Sequence, residues 1–283
     1  MVPYLVSPAW VFDNLHNPDI KIIDASMHMT DTGRIGYKEY DEQHIENAVF
    51  FDIERIVDTK SPLPHMLPDD AHFSKAMSIL GIGNEHHIVV YDNSPLHSGL
   101  RVWWMLREFG HENVSYMDGG LTKWVNEGYP LTTKRSSPVT TKFTATLQSA
   151  YIRDAMDIFD NITSKKEQVM DARASARFTA KVHEVRANLR SGHIPGSINV
   201  PFFSLFDTDG TMLDADELLE IFTEAGTDFD RPIITTCGSG ITACVLLMAL
   251  KLIGKDDVSV YDGSWSEWGG LREDIAPIVT GSD

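Results

Sequence analysis

Short apolar runs alternate along this chain with longer stretches whose apolar residues recur at helical spacing. Ile22-Ile23, Ile88-Val89-Val90-Tyr91 and Ile233-Ile234-Thr235-Thr236 have the β-branched and aromatic character of buried strands. The intervening stretches begin with helix-start signals. Ser7-Pro8-Ala9-Trp10 reads as an N-cap with proline at the first helical position, and Asp69-Asp70-Ala71-His72-Phe73 as an acidic first turn. Strands that alternate with helices imply parallel strands joined by crossover helices. The expected fold class is therefore α/β, with a mainly parallel central sheet flanked by helices.

The pattern occurs twice. Ile22-Ile23-Asp24-Ala25-Ser26 is paralleled by Val169-Met170-Asp171-Ala172-Arg173, and Gln43-His44-Ile45 by Gly192-His193-Ile194. Ile88-Val89-Val90-Tyr91-Asp92 matches Ile233-Ile234-Thr235-Thr236-Cys237, and Tyr116-Met117-Asp118-Gly119-Gly120 with Trp124 matches Val260-Tyr261-Asp262-Gly263-Ser264 with Trp268. A nearly constant offset over so long a span indicates a duplicated domain rather than a short solenoid repeat. We expect an N-terminal domain over residues 1–132, a linker over 133–149 and a C-terminal domain over 150–283. The linker expectation rests on the Thr, Ser and Lys content of Pro130 to Ser149, with Pro138 among them and no clear period.

The most chemically loaded segment is Cys237-Gly238-Ser239-Gly240-Ile241-Thr242, which lies between the strand run ending at Thr236 and the apolar run Ala243 to Leu250. A strand, a tight loop and a helix would place a thiol at the loop's head. Gly238 and Gly240 would let successive backbone N–H groups turn inward, and the helix start adds its positive end. Such surroundings favour thiolate, the nucleophilic form of cysteine. A cysteine buried only for packing has no use for two neighbouring glycines; Cys244, inside the apolar helix pattern, fits that packing role instead. The spacing is not C-x-x-C, which argues against a dithiol redox pair. In the first copy the matching position is Asp92, so only the second copy carries the reactive loop, and the first is expected to be non-catalytic.

Composition narrows the partners. The chain has 283 residues, 42% hydrophobic and 23% charged, and its formal net charge of −17 disfavours nucleic acid and anionic membranes as partners. No run approaches the roughly 20 apolar residues of a membrane span. Met1-Val2-Pro3-Tyr4-Leu5-Val6-Ser7 lacks the marks of a secretory signal, and two cysteines give no disulfide framework. The cytoplasm is the expected compartment. The eleven histidines lack metal-ligand spacing, so no metal is assigned.

With these residues in view, the chain resembles the tandem-domain sulfurtransferases of the rhodanese family over essentially its whole length. The resemblance rests on Phe50-Phe51-Asp52-Ile53, Ser61-Pro62-Leu63-Pro64-His65-Met66-Leu67-Pro68, Arg101-Val102-Trp103-Trp104, Ser191-Gly192-His193-Ile194-Pro195-Gly196-Ser197, the Cys237 loop, and Tyr261-Asp262-Gly263-Ser264-Trp265-Ser266-Glu267-Trp268. It implies two rhodanese-like domains and sulfur transfer through a Cys237 persulfide, with no cofactor. A loop reading C-G-S-G-[IV]-T is similar to that of members using 3-mercaptopyruvate; thiosulfate-preferring members carry basic residues at its second and third positions. A thiosulfate sulfurtransferase is the alternative, and a silent binding module a more distant one. The resemblance further implies that Arg177 and Arg186 hold the substrate carboxylate and carbonyl, and that Gly238, Gly240, Ile241 and Thr242 line the bound sulfur. Ser239 and His65 would handle the proton, supported by a carboxylate that is either Asp52 or Glu54, with Glu54 at the better-matching position. The acceptor would be cyanide or a thiol such as thioredoxin. Met27 departs from the family, whose members often have an aromatic residue there. A cysteine-dependent phosphatase is disfavoured, because Ala243 stands where its arginine would be and no basic residue occurs from Gly238 to Leu250.

Overall fold

A computed structural model describes residues 2–184 and 186–281. It resolves into two compact units. The first comprises the chain up to Thr59, Leu67–Gln148 and Phe206–Met212; the second comprises Lys60–Met66, Ser149–Leu205 and the chain from Leu213 onward.

The sheet of the first unit contains β1 (Leu5–Val6), β2 (Ile20–Asp24), β3 (Val49–Phe50), β4 (His87–Tyr91) and β5 (Val114–Met117), in the order β1-β5-β4-β2-β3. The second unit repeats the design with β6 (Ile152–Arg153), β7 (Gln168–Asp171), β8 (Ile198–Asn199), β9 (Ile233–Thr236) and β10 (Val258–Tyr261), in the order β6-β10-β9-β7-β8. Every pairing is parallel. Strands β7, β9 and β10 are buried throughout and β4 in all but its first residue, which is why they read as near-continuous apolar runs rather than alternations.

The duplication extends to details. His44 bridges Thr132 and His193 bridges Val279, each antiparallel, and the indole N–H groups of Trp124 and Trp268 donate to the carbonyls of Pro130 and Pro277. The Ala25 N–H donates to Tyr91 O and that of Ala172 to Thr236 O, so each sheet joins its two central strands in the same way beyond their ends.

The helix-start signals act as expected. Ser7 Oγ accepts the Trp10 N–H ahead of helix Pro8–Asp13, and Asp69 accepts the His72 N–H ahead of helix Asp70–Ile79. Helix Ala243–Leu252 is buried around nearly its whole circumference, so its apolar run shows no polar face. The expected linker stretch is tied to the first unit: Thr141 and Phe143 donate their N–H groups to Ser78, Ala145 to Ser74 and Leu147 to Asp70, with Phe143 and Ala145 buried.

In the second sheet the chain passes from β7 outward to β8 and returns on the other side of β7 as β9. Strand order therefore reverses between β7 and β9, and open α/β sheets bind ligands at the carboxyl ends of strands at such a reversal. Cys237 is the first residue after β9.

Candidate active site

The Cys237 loop is held from behind by the short helix Ser264–Trp268, which follows β10. The Trp265 N–H donates to Cys237 O and the Ser266 N–H to Gly238 O, while Ser264 Oγ accepts the Cys237 N–H at 3.2 Å. Ser264 adopts φ 48°, and its hydroxyl donates to Tyr261 O, tying the turn together. The loop's two glycines serve different needs. Gly240 lies at φ 78°, where a Cβ would be strained, whereas Gly238 lets cations approach: a Cβ there would lie 3.3 Å from Arg186 Nη1 and 3.6 Å from Arg177 Nη2. Cys237 is only 2% exposed, and Ile241 and Thr242 are also buried before helix Ala243–Leu252 begins.

Both arginines singled out in the sequence thus converge on the residue after the cysteine. Arg186 Nη1 donates to Gly238 O at 3.0 Å and to Ser266 Oγ at 2.9 Å, and its Nη2 donates to Ser239 Oγ at 3.2 Å. Burial pulls the Arg186 pKa down, partly offset by attraction to Cys237, and neighbouring Arg177 lowers it further. Arginine stays charged well above neutrality even so. Arg177 Nη2 donates to both oxygens of Glu184, at 2.6 and 2.8 Å, and the Glu184 side chain is almost fully buried. Arg173 lies 3.7 Å from the same carboxylate, grips Asp171 at the end of β7 and stacks on the Trp265 ring at 4.0 Å. A small anion carrying a carboxylate would find oriented cations beside the thiol.

His65 belongs to the same unit through the segment Lys60–Met66, and its Nδ1 lies 3.0 Å from Ser239 Oγ. Its φ of 62° is uncommon outside glycine. Ser239 therefore joins an imidazole and a guanidinium. Asp52 and Glu54 belong to the first unit, where Asp52 accepts the Glu54 N–H and faces Arg55, and Glu54 is exposed.

Sequence reasoning did not single out Arg173, Glu184, Ser264 or Ser266 as site residues. Glu184 lies two residues before Arg186, and Ser264 and Ser266 lie in the stretch after β10. Their roles depend on which carbonyl or guanidinium they meet, which spacing does not disclose.

The counterpart loop of the first unit is built differently. Asp92 is buried, and its carboxylate accepts N–H bonds from Ser94 and Gly99 and an O–H bond from Tyr116. Arg34 donates to Asn93 O and grips Glu39 with two nitrogens, echoing the Arg186 contact with Gly238 O and the Arg177 pairing with Glu184. The first unit thus retains a basic clamp over its loop, with a carboxylate at the thiol position.

Comparison with known proteins agrees with this architecture. The family model described as Rhodanese-like domain matches residues 7–127 and again 155–271. The chain belongs to the rhodanese family. It is 42% identical over 270 residues to 3-mercaptopyruvate sulfurtransferase of Mus musculus, covering 93% of this chain and 91% of that protein. It is 43% identical over 271 residues to thiosulfate sulfurtransferase of Rattus norvegicus, with the same coverage of 93% and 91%. Among solved structures, the 3-mercaptopyruvate sulfotransferase SseA from Escherichia coli superposes with a TM-score of 0.86 at 40% identity, covering 94% of this chain and all of that one.

Proposed function

We propose that this chain is a 3-mercaptopyruvate sulfurtransferase that takes sulfur onto Cys237 and passes it to a thiol or cyanide. The observation that carries the reading is the convergence of Arg177 and Arg186 on Gly238, directly beside the thiol of a loop that contains no cation. Charge recognition then falls to two guanidiniums suited to a carboxylate.

In the proposed first half-reaction, the Cys237 thiolate attacks the substrate sulfur. A sulfur–sulfur bond forms, the carbon–sulfur bond breaks, and its electron pair leaves as the enolate of pyruvate. The substrate thiol proton reaches the enolate carbon through Ser239, whose hydroxyl lies within bonding distance of His65. Arg177 and Arg186 orient the donor so that its sulfur meets Cys237, and the loop N–H groups stabilise the persulfide. In the second half-reaction, the acceptor attacks the outer sulfur and the Cys237 thiolate departs, a ping-pong scheme. A cofactor has no step to perform in it. Thioredoxin is a suitable acceptor by chemistry, and we place the reaction in the cytoplasm, where reducing conditions keep the thiol available.

Thiosulfate as donor is the second reading, favoured by the comparable identity to thiosulfate sulfurtransferases. The neutral Gly238 and Ser239 favour mercaptopyruvate. Mass spectrometry of the protein exposed to 3-mercaptopyruvate without acceptor should show one sulfur atom added to the Cys237 peptide, with pyruvate released in equal amount. An adduct on Cys244, or pyruvate release without an adduct, would reject the scheme.

A further inference from the structure

We infer that Ser266 is a positioning residue that orients the Arg186 guanidinium for the donor's carboxylate; the inference deepens the reading of the site as one for a carboxylate-bearing sulfur donor. The Ser266 hydroxyl is buried and lies between two groups of that site. It donates to Gly238 O at 2.6 Å and accepts from Arg186 Nη1 at 2.9 Å. Gly238 O also receives Arg186 Nη1 and the Ser266 N–H. Gly238 O and the Ser266 hydroxyl, 2.6 Å from each other, thus both accept from Nη1, and Nη2 is tied to Ser239. A guanidinium is planar, so holding Nη1 on two acceptors and Nη2 on a third orients the whole group.

The hydroxyl is needed in addition to the backbone bond. Without it the Ser266 N–H still holds Gly238 O and the loop keeps its path, but Arg186 Nη1 loses one of its two acceptors. The side chain can then rotate about its flexible stem, and part of the donor's binding free energy goes into ordering it again. The expected defect lies in donor recognition rather than in the thiol's intrinsic reactivity.

Four variants separate these effects: Ser266→Ala, Ser266→Thr, Ser266→Val and Arg186→Ala. Thr retains the hydroxyl, and Val has the shape of Thr without it. Ser266→Ala and Ser266→Val should raise KM for 3-mercaptopyruvate about fivefold, change kcat by less than about twofold and leave KM for cyanide unchanged, while Ser266→Thr stays near wild type. A second readout does not depend on turnover: the rate of Cys237 alkylation by anionic iodoacetate relative to neutral iodoacetamide, mapped to the Cys237 peptide. That ratio should fall at least about threefold in Ser266→Ala and Ser266→Val, toward the value in Arg186→Ala, because only the anion is drawn by the oriented guanidinium. An unchanged ratio in both Ser266→Ala and Ser266→Val, or equal slowing of the two reagents, overturns the inference. A wild type that fails to turn over 3-mercaptopyruvate would sink the functional reading alone, since the alkylation ratio still decides the role of Ser266.

Discussion

At the residue scale, the proposed chemistry centres on one thiol. Cys237 was legible in the sequence because the glycines, the preceding strand and the following helix all pointed to the same geometry. Cys237→Ser should abolish both the sulfur adduct and turnover, measured by mass spectrometry and pyruvate release; retained activity would mean that another group carries the sulfur. Arg186→Ala should lower kcat/KM for 3-mercaptopyruvate by at least about tenfold, equivalent to about 1.4 kcal/mol of transition-state binding, and affect thiosulfate less. Steady-state kinetics with both donors tests this, and an equal loss for the two would remove the carboxylate role. What the sequence could not disclose is the support beneath the arginines. Glu184 holds Arg177 through the fold of one loop after β7, and Ser266 holds Arg186 where that loop meets the helix after β10. Neither residue type carries a signature of its own.

At the element scale, local signals were most readable where a single side chain completes a helix end. Asp214 caps helix Ala215–Glu224 by accepting the Asp216 and Glu217 N–H groups, and Glu217 returns the bond to the Asp214 N–H. Asp214→Ala should therefore cost about 1 kcal/mol, read as a lower urea midpoint at unchanged slope; an unaltered midpoint would show that the cap contributes nothing. The duplication was legible because the paired strands occupy the same places in the two sheets. The short segments that leave their own half of the chain were not. Lys60–Met66 packs with the second unit and Phe206–Met212 with the first, and neither has the apolar period that would reveal it. The contrast between the Cys237 and Asp92 loops also belongs at this scale. The loop after Asp92 turns its Ser94 and Gly99 N–H groups onto the carboxylate, a geometry specific to that side chain. Asp92→Cys in a Cys237→Ser background should remain inactive by pyruvate release, and recovered turnover would show that the first unit's loop can support the reaction.

For the whole molecule, charge and burial combine to set how stability responds to pH. Burial pushes Asp24 and Asp92 up to about 6 from an ordinary 3.8, despite the hydrogen bonds that pull them down, and Asp118 is raised similarly. A raised carboxylate keeps its proton in the folded state at a pH where the unfolded chain has lost it. Folding then takes up protons between about pH 4 and 6, so stability falls as pH rises through that window and stays lower above it. Each shift is worth on the order of 2–3 kcal/mol. Asp209, drawn down to about 2 by Lys123 and Thr211, has the opposite sign but is exposed and carries little weight; burial also holds His97 down to about 4 and lowers His86, His87 and His111, and these imidazoles oppose the carboxylates because the unfolded chain takes up their protons first as pH falls. Surface repulsion from a net charge of −17 also favours lower pH, and added salt separates the two causes because it screens exposed charges far more than buried ones. Urea midpoints of the first unit at about pH 5.5 and about pH 8 in high salt therefore report the carboxylates against the histidines, and substitution isolates the part due to Asp24. Relative to wild type, Asp24→Asn should move the high-salt midpoint more favourably at about pH 8 than at about pH 5.5: the amide oxygen can still accept the Ser26 N–H that Asp24 Oδ1 holds, and no charge is left to desolvate. An Asp24→Asn protein whose midpoint changes between the two pH values just as that of wild type does would mean that Asp24 does not contribute to the response.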